Sequence, residues 1–427
     1  AKRIASILMQ LGSRMQMQEA EQFAGMDFLW GLTQDESHVG SIELQNACVQ
    51  SFTSLISMNE SRVKRAEYFE KCIKNLRNHR SVPPSLVVMN YLFVSLASKR
   101  KKPDVDWSTF GCLKDEQALH SLIIDDLVQY RLSCQPASEG VGSSGGAPRS
   151  LPAKPGLTPS ADTPRGLTTP RGLLSRRQDQ IARRLEFVTS ILQLQGTSLS
   201  RQHLKMLWSS LVQPGFDSCQ REISLKWFQA LVDNQWTREA MAPSLQALFQ
   251  MVCGLDPEEV TKCAFELYRR SFVQVNVNHG NIVLEGTARN HPMVATGKKL
   301  LGTDFLWQVS LAANDSTVAN QAISLLNDLY QSVSPSTPHH LEVLQGRRQE
   351  HLAACLQHMK STAHDLSIAA PSRDDQHRNK SQRRISRCIA VLRNFLHDFE
   401  VRTAAQQPDF CIRKHGRQLA GGQISIR

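Results

Sequence analysis

Gly302-Thr303-Asp304-Phe305-Leu306-Trp307, then Asn314-Asp315, then Val318-Ala319-Asn320-Gln321-Ala322-Ile323-Ser324-Leu325-Leu326-Asn327-Asp328-Leu329-Tyr330, form the most regular passage of this 427-residue chain. Val318, Ala322, Leu325, Leu326 and Leu329 fall at the spacing that brings side chains onto one face of an α-helix. Asp315-Ser316 ahead of that stripe is N-cap chemistry, a side-chain oxygen placed to take up the first free N–H groups. The same periodicity continues on both sides, in Leu185, Val188, Ile191 and Leu192 and in Leu204, Leu207, Trp208 and Leu211. Helical stretches are expected at 65–76, 86–98, 117–131, 221–232, 244–253, 257–270, 351–360 and 383–399. The residues between them are those that start and stop helices: Pro83-Pro84 at an entry, Gly254 after an end, Asp256-Pro257 and Asp304 at starts.

Two segments interrupt the pattern. Phe272-Val273-Gln274-Val275-Asn276-Val277 alternates with period two, and Asn278-His279-Gly280-Asn281 supplies turn chemistry before Ile282-Val283-Leu284, so a small β-hairpin is expected near 272–284. Residues 135–176 are rich in proline, glycine, serine and threonine and poor in large apolar side chains, the composition of a disordered linker. Within it Thr163-Pro164-Arg165-Gly166-Leu167 is echoed by Thr169-Pro170-Arg171-Gly172-Leu173, with Thr158-Pro159 ahead of both. Thr158, Thr163 and Thr169 are candidate proline-directed phosphorylation sites, and phosphate there would offset the charge of Arg165, Arg171, Arg176 and Arg177. A plain flexible spacer is the competing expectation. The linker divides the chain into an N-terminal set of helical repeats, 1–134, and a C-terminal set, 177–411.

The two sets echo each other. Asp27-Phe28-Leu29-Trp30 recurs as Asp304-Phe305-Leu306-Trp307, and Cys72-Ile73-Lys74-Asn75-Leu76 is followed by an apolar helix as Cys355-Leu356-Gln357-His358-Met359 is. Helix sets that recur and bury one another's apolar faces are the mark of a stacked solenoid. The sequence therefore predicts an all-α, armadillo/HEAT-like α-superhelix with one disordered linker and a small β-hairpin insertion.

Composition narrows the function classes. With 41% hydrophobic and 21% charged residues the chain is too apolar to be disordered throughout, and it is too long for one compact core. The most apolar run, Leu86 to Ala97, is well short of the roughly 20 residues a membrane-spanning helix needs. The start lacks the features of a signal peptide. Ten scattered cysteines without any C-x-x-C spacing read as a reducing compartment, cytoplasmic or nuclear, with the cytoplasm as the first expectation. The net charge of +11 is diluted over the chain, and its local concentrations are the helix end Lys99-Arg100-Lys101-Lys102 and the polar, basic stretch Arg373 to Arg384, expected as a solvated loop. Neither run carries interleaved aromatic residues, so nucleic acid is not an expected partner. A weaker reading makes Lys99 to Lys102 and the linker arginines an anionic-surface binder.

Catalytic and metal-binding patterns are missing from the sequence. It has no G-x-x-x-x-G-K-[ST], G-x-G-x-x-G after a strand, H-E-x-x-H or G-x-S-x-G motif. His351, Cys355 and His358 can share a helix face, with His339, His340 and His364 nearby, but the paired spacings of a zinc site are absent and Cys355 reads as a small buried hydrophobe. Cys72 with His79 is a weaker version of the same idea. No residue is assigned a catalytic, cofactor-binding or metal-binding role, and no cofactor is expected. Trp30 and Trp307 are candidate binding anchors, with core packing at repeat junctions as the stronger expectation.

Several segments together resemble one family, the non-catalytic helical-repeat region of the large fat-facets-type ubiquitin-specific proteases. The passage from Gly302 to Tyr330 carries the resemblance, supported by Gln220-Arg221-Glu222, Lys226-Trp227-Phe228, Leu255-Asp256-Pro257, Cys355-Leu356 and Ile389-Ala390-Val391-Leu392-Arg393, over roughly Ser198 to the end and more faintly in the first block. The resemblance implies a scaffold and substrate- or partner-binding region of a cysteine-type deubiquitinase, with protein partners or ubiquitinated substrates and no membrane. In that family a ubiquitin-like domain and a papain-like catalytic domain follow the helical region, and 412–427 is expected as the start of the former. The family's G-N-T-C nucleophile segment is absent, so no catalytic role transfers, and the chain alone is expected to be inactive. Its start at Ala1 and its end at Arg427 read as the limits of a segment of a longer protein. The alternative is a stand-alone armadillo/HEAT adaptor without enzymatic activity.

Overall fold

The computed structural model of the chain describes residues 25–34, 42–58, 62–97, 116–134, 170–195, 199–212, 218–234, 242–284, 293–334, 337–368 and 375–406. Among these residues are fourteen α-helices and one two-stranded sheet, so the all-α reading holds. The chain divides into two compact units, Ala1–Trp227 and Phe228–Arg427.

The first unit holds α1 (Gly25–Gln34), α2 (Ile42–Met58), α3 (Arg62–Arg77), α4 (Val82–Ala97), α5 (Glu116–Cys134), α6 (Pro170–Gln195) and α7 (Arg201–Leu211), and the division falls inside α8 (Ser218–Asn234). Helix α1 packs on α2, α3 on α4, and α4 on α6, while α5 lies against α6 and α7. Leu29, Phe52, Ile56, Tyr68 and Phe69 are buried between the first three helices, with the Tyr68 ring edge-on to Phe52 at 4.8 Å. Because α6 packs on α4, this unit includes helices from both sides of the stretch expected as a linker. Helix α6 also begins at Pro170, inside that stretch. Residues 135–169, with Thr158, Thr163 and Thr169, lie outside the described residues, as do 1–24, Lys99 to Lys102 and 412–427.

The second unit continues with α9 (Ala242–Val252), a 3₁₀ turn at Pro257–Glu259, α10 (Lys262–Asn278), β1 (Ile282–Leu284), β2 (Met293–Ala295), α11 (Thr303–Ala312), α12 (Ser316–Gln331), α13 (His340–Ile368) and α14 (Asp375–Gln406). The helix expected at 257–270 is two elements, because Thr261 is a second N-cap that accepts from the Ala264 N–H. The expected first strand, Phe272 to Val277, is instead the last part of α10. Its alternation is also a helical stripe: Phe265, Tyr268, Phe272, Val275 and Asn276 are all buried on one face. Strand β1 pairs antiparallel with β2, Ile282 opposite Ala295 and Leu284 opposite Met293. Arg373 to Arg384, expected as a loop, enters α14 at Asp375. There Lys380 pairs with Glu258 at 2.6 Å, Arg383 donates to Asn314 at 2.8 Å, and Arg387 donates to the Leu311 carbonyl at 3.1 Å. Arg387, at the open C-terminal end of α11, satisfies one of its last carbonyls and complements its dipole.

Gly302 starts α11 in the left-handed region, at φ 86°. It is the N-cap in place of Asp304, which sits in the first turn. Its carbonyl accepts from the Tyr268 hydroxyl at 2.9 Å, and a methyl group on its Cα would run into the Phe249 ring. Strained φ and overpacking act together in Gly302→Ala, which we expect to destabilise the second unit by about 3 kcal/mol. The check is thermal unfolding followed by circular dichroism, where the variant melts roughly 10 °C below the parent.

Candidate functional site

The chemistry-bearing residues of the second unit meet where α11, α12, α13 and α14 come together. Trp307 is buried on α11, 5.3 Å from the His351 ring and 5.0 Å from that of His358, both on α13. His351 also lies 4.6 Å from Tyr330 and 4.7 Å from Phe395. Its Nε2 is 3.0 Å from Asn327 Oδ1, which only accepts, so Nε2 carries the proton. Asn327 Nδ2 in turn donates to the Val391 carbonyl at 3.3 Å, and one turn later Gln331 Nε2 donates to the Phe395 carbonyl at 3.0 Å. Burial pulls the His351 pKa down to about 4, so the ring is neutral at physiological pH. Nδ1 of that ring is buried without a hydrogen-bond partner.

This arrangement is a packed junction. Cys355 is fully buried and its Sγ donates to the Cys388 carbonyl at 3.4 Å, not to an imidazole. The hydrogen bond it shares with Cys388 and its burial push the Cys355 thiol far above the ordinary thiol range, the opposite of what a nucleophile needs. His340 Nδ1 donates to the Ser334 carbonyl, His339 is exposed beside Glu342, and His364 sits apart on α13. Among the described residues no three histidine, cysteine or carboxylate side chains come close enough to hold a metal ion. Trp30, half-buried, packs at a tilt against Phe52 and Tyr68, with ring centroids 5.4 and 5.7 Å away. Both tryptophans are therefore packing residues, as their place in the repeated Asp-Phe-Leu-Trp segment suggests.

In the first unit Cys72 is buried, its thiol pushed up by desolvation, and His79 does not approach it. His79 Nδ1 instead lies 2.8 Å from Asp126 Oδ1, while Asp126 Oδ2 accepts from Arg184 Nε at 2.8 Å. Asp126 and Arg184 are 2% and 3% exposed, and the guanidinium is held further by Gln180 and by the Tyr130 ring, 4.5 Å away. Asp126 forms part of the wall of a cleft of about 330 Å³ lined also by Arg77, His79, Leu122, Asp125, Val128 and Gln129. The pair joins α5 to α6, and the sequence pattern missed it because its partners are 58 residues apart across the Pro/Gly-rich stretch.

One exposed feature remains. Leu356 on α13 and Ile389 and Leu396 on α14 are 51%, 52% and 54% exposed. The seven-residue spacing of Ile389 and Leu396, beside the buried set Cys388, Val391 and Phe395, makes α14 apolar on two faces. That double stripe lies within the helix expected at 383–399. No helix among the described residues is long and apolar enough to cross a membrane.

A family model described as the UBP24/USP9X/USP9Y ARM repeat matches residues 2–276. The match lies over the N-terminal part, where the sequence-based likeness is fainter. The chain is 24% identical over 222 residues to the ubiquitin carboxyl-terminal hydrolase 9X of Mus musculus, an alignment covering 51% of this chain and 8% of that protein. It is 25% identical over 386 residues to the ubiquitin carboxyl-terminal hydrolase 34 of Homo sapiens, covering 89% of this chain and 9% of the relative. With the probable ubiquitin carboxyl-terminal hydrolase FAF of Drosophila melanogaster it shares 26% over 179 residues, 41% of this chain and 6% of the relative. The chain thus spans less than a tenth of the length of these relatives.

Two outcomes test the assignment of these groups as structural ties. Asp126→Ala leaves Arg184 buried and unpaired, and is expected to destabilise the first unit by about 3 to 5 kcal/mol in denaturant titration. For His351 the folded value, about 4, lies below the ordinary 6.5, so the unfolded chain binds the proton first. The neutral ring's contribution is complete above pH 6.5 and is lost as pH falls through 4, on the order of 3 kcal/mol in all. Melting temperature plotted against pH over that window is expected to be flatter in His351→Leu than in the parent, whatever the variant's starting stability.

Proposed function

The chain belongs to the UBP24/USP9X/USP9Y ARM-repeat family, and on that premise we propose that it is the scaffold region of a large cysteine-type deubiquitinase, binding protein partners or ubiquitinated substrates while the catalytic domain lies elsewhere in the protein. The observation that carries this reading is the family match over residues 2–276, joined to a structure in which His351 and Cys355 are occupied in packing. The relatives named above are hydrolases at ubiquitin carboxyl termini, and in the whole protein a thiolate outside this chain would attack the isopeptide carbonyl. Helical repeats suit the complementary task, because a stack of similar elements presents successive helix faces on which few residues supply most of the binding energy. The described cysteines are free thiols, which fits a reducing compartment and a cytoplasmic and nuclear setting.

The reading separates binding from chemistry, and the test uses that separation. In the whole protein, deletion of this region is expected to leave turnover of a ubiquitin–fluorophore conjugate within about twofold, since so small a substrate needs only the catalytic domain. The same deletion is expected to slow removal of ubiquitin from protein substrates about tenfold or more, the equivalent of about 1.4 kcal/mol or more of lost positioning. Loss of fluorophore turnover, or unchanged processing of protein substrates, contradicts the proposal.

A further inference from the structure

Helix α14 presents a second apolar face that stays exposed among the described residues. Its inner face is fixed by Arg387, which donates to the Leu311 carbonyl on α11. Ile389, two residues on, is rotated about 200° from Arg387 and so faces away from α11. On α13 the same rotation separates His358, packed against Trp307, from Leu356. The two helices run antiparallel, with Cys355 against Cys388 and Arg348 over the Phe399 ring at 4.8 Å, so Leu356 and Ile389 lie at one level and Leu396 two turns along. These three exposed side chains, with Leu392 half-buried between them, make an outer strip at the a/d spacing that accepts a further helix.

The charges on the strip say what kind of helix. Arg393 lies between Ile389 and Leu396 on the same face, exposed, and pairs with no acidic group among the described residues. Lys360, one turn beyond Leu356 on α13, is exposed as well. A second copy of the chain fits poorly. Antiparallel pairing of two α14 helices that layers Ile389 on Phe399 and Leu392 on Leu396 brings the two Arg393 side chains together near the axis. Sliding by one heptad sets Arg393 against Glu400 but takes Ile389 and Leu392 out of register with Phe399 and Leu396. Apolar layers and opposite charges are satisfied together only by a different helix, with a carboxylate where Arg393 points.

We propose that the outer face of the α13–α14 pair docks an acidic amphipathic helix of a partner protein, its heptad-spaced apolar residues covering Leu356, Ile389 and Leu396 and its carboxylate pairing with Arg393. The proposal rests on the scaffold reading and adds the chemistry of the partner. Its probe is a 21-residue synthetic helix with leucine at a and d and glutamate at e and g, compared by fluorescence anisotropy with the same peptide carrying lysine at e and g. The full chain is expected to bind the glutamate peptide saturably and the lysine peptide at least about tenfold more weakly. Arg393→Glu, a change on the surface, should invert that preference, and Leu396→Asp should abolish binding with the helical circular dichroism retained. Equal binding of the two peptides, indifference to Arg393→Glu, or a dimer in sedimentation that Leu396→Asp dissolves would each overturn the proposal. If Leu396→Asp unfolds the chain, the Arg393→Glu inversion decides alone. In the whole protein Arg393→Glu touches this face only, so unaltered substrate processing by that variant, with processing still lost on deleting the region, sinks the docking site and leaves the scaffold reading standing.

Discussion

Asn327 and Gln331 on α12 reach across to α14 and donate to the carbonyls of Val391 and Phe395, two donors one helical turn apart meeting two acceptors one turn apart. This attachment fixes both the height and the rotation of α14, and the C-terminal unit is arranged around it. With α14 so turned, Cys388, Val391 and Phe395 close over the Trp307, Tyr330 and His351 rings, and Arg387 reaches the end of α11. The outward direction of Ile389, Arg393 and Leu396 is a consequence of the same rotation. The buried Asn327 amide is tolerated because it both donates to the Val391 carbonyl and accepts from His351, and it specifies one alignment where leucine would accept several.

The first unit uses an ion pair for a comparable purpose. Asp126 and Arg184 join α5 to α6, with His79 closing the third side. Such a pair is weak as a source of stability but sensitive to the loss of either partner, so it selects a register rather than driving collapse. Collapse itself comes from apolar stripes such as Leu29, Phe52 and Phe69, each useless until a neighbouring helix covers it.

Helix identity was largely legible in the sequence because it rests on local spacing. Val318 to Leu329 and Leu204 to Leu211 read correctly from their stripes alone, as did the Asp315 cap. Phe272 to Val277 misled, since β-branched residues at every second position also place Phe272, Val275 and Asn276 on one helix face. What settled it as helix is Asn276, whose amide donates to the Leu301 carbonyl and whose Oδ1 accepts from the Leu301 N–H, contacts 25 residues away in sequence. The basic stretch before Arg384 read as loop for the same reason. Its partners, Glu258 and Asn314, lie in elements that no local pattern connects to it. Likewise the candidate site was legible as residue types but not as roles: His351 and Cys355 share a face as expected, yet what they meet is an amide and a carbonyl.

His351 and Cys355, the residues of the C-terminal unit with the most familiar catalytic side chains, are engaged in joining helices, as the proposed scaffold role requires. The most direct measurement exposes the full chain to ubiquitin carrying a thiol-reactive electrophile at its C-terminus and reads the mass of the intact product. No adduct is expected on Cys355, because it is buried and its thiol is held protonated. A stoichiometric ubiquitin adduct on Cys355, lost in Cys355→Ala, would contradict it.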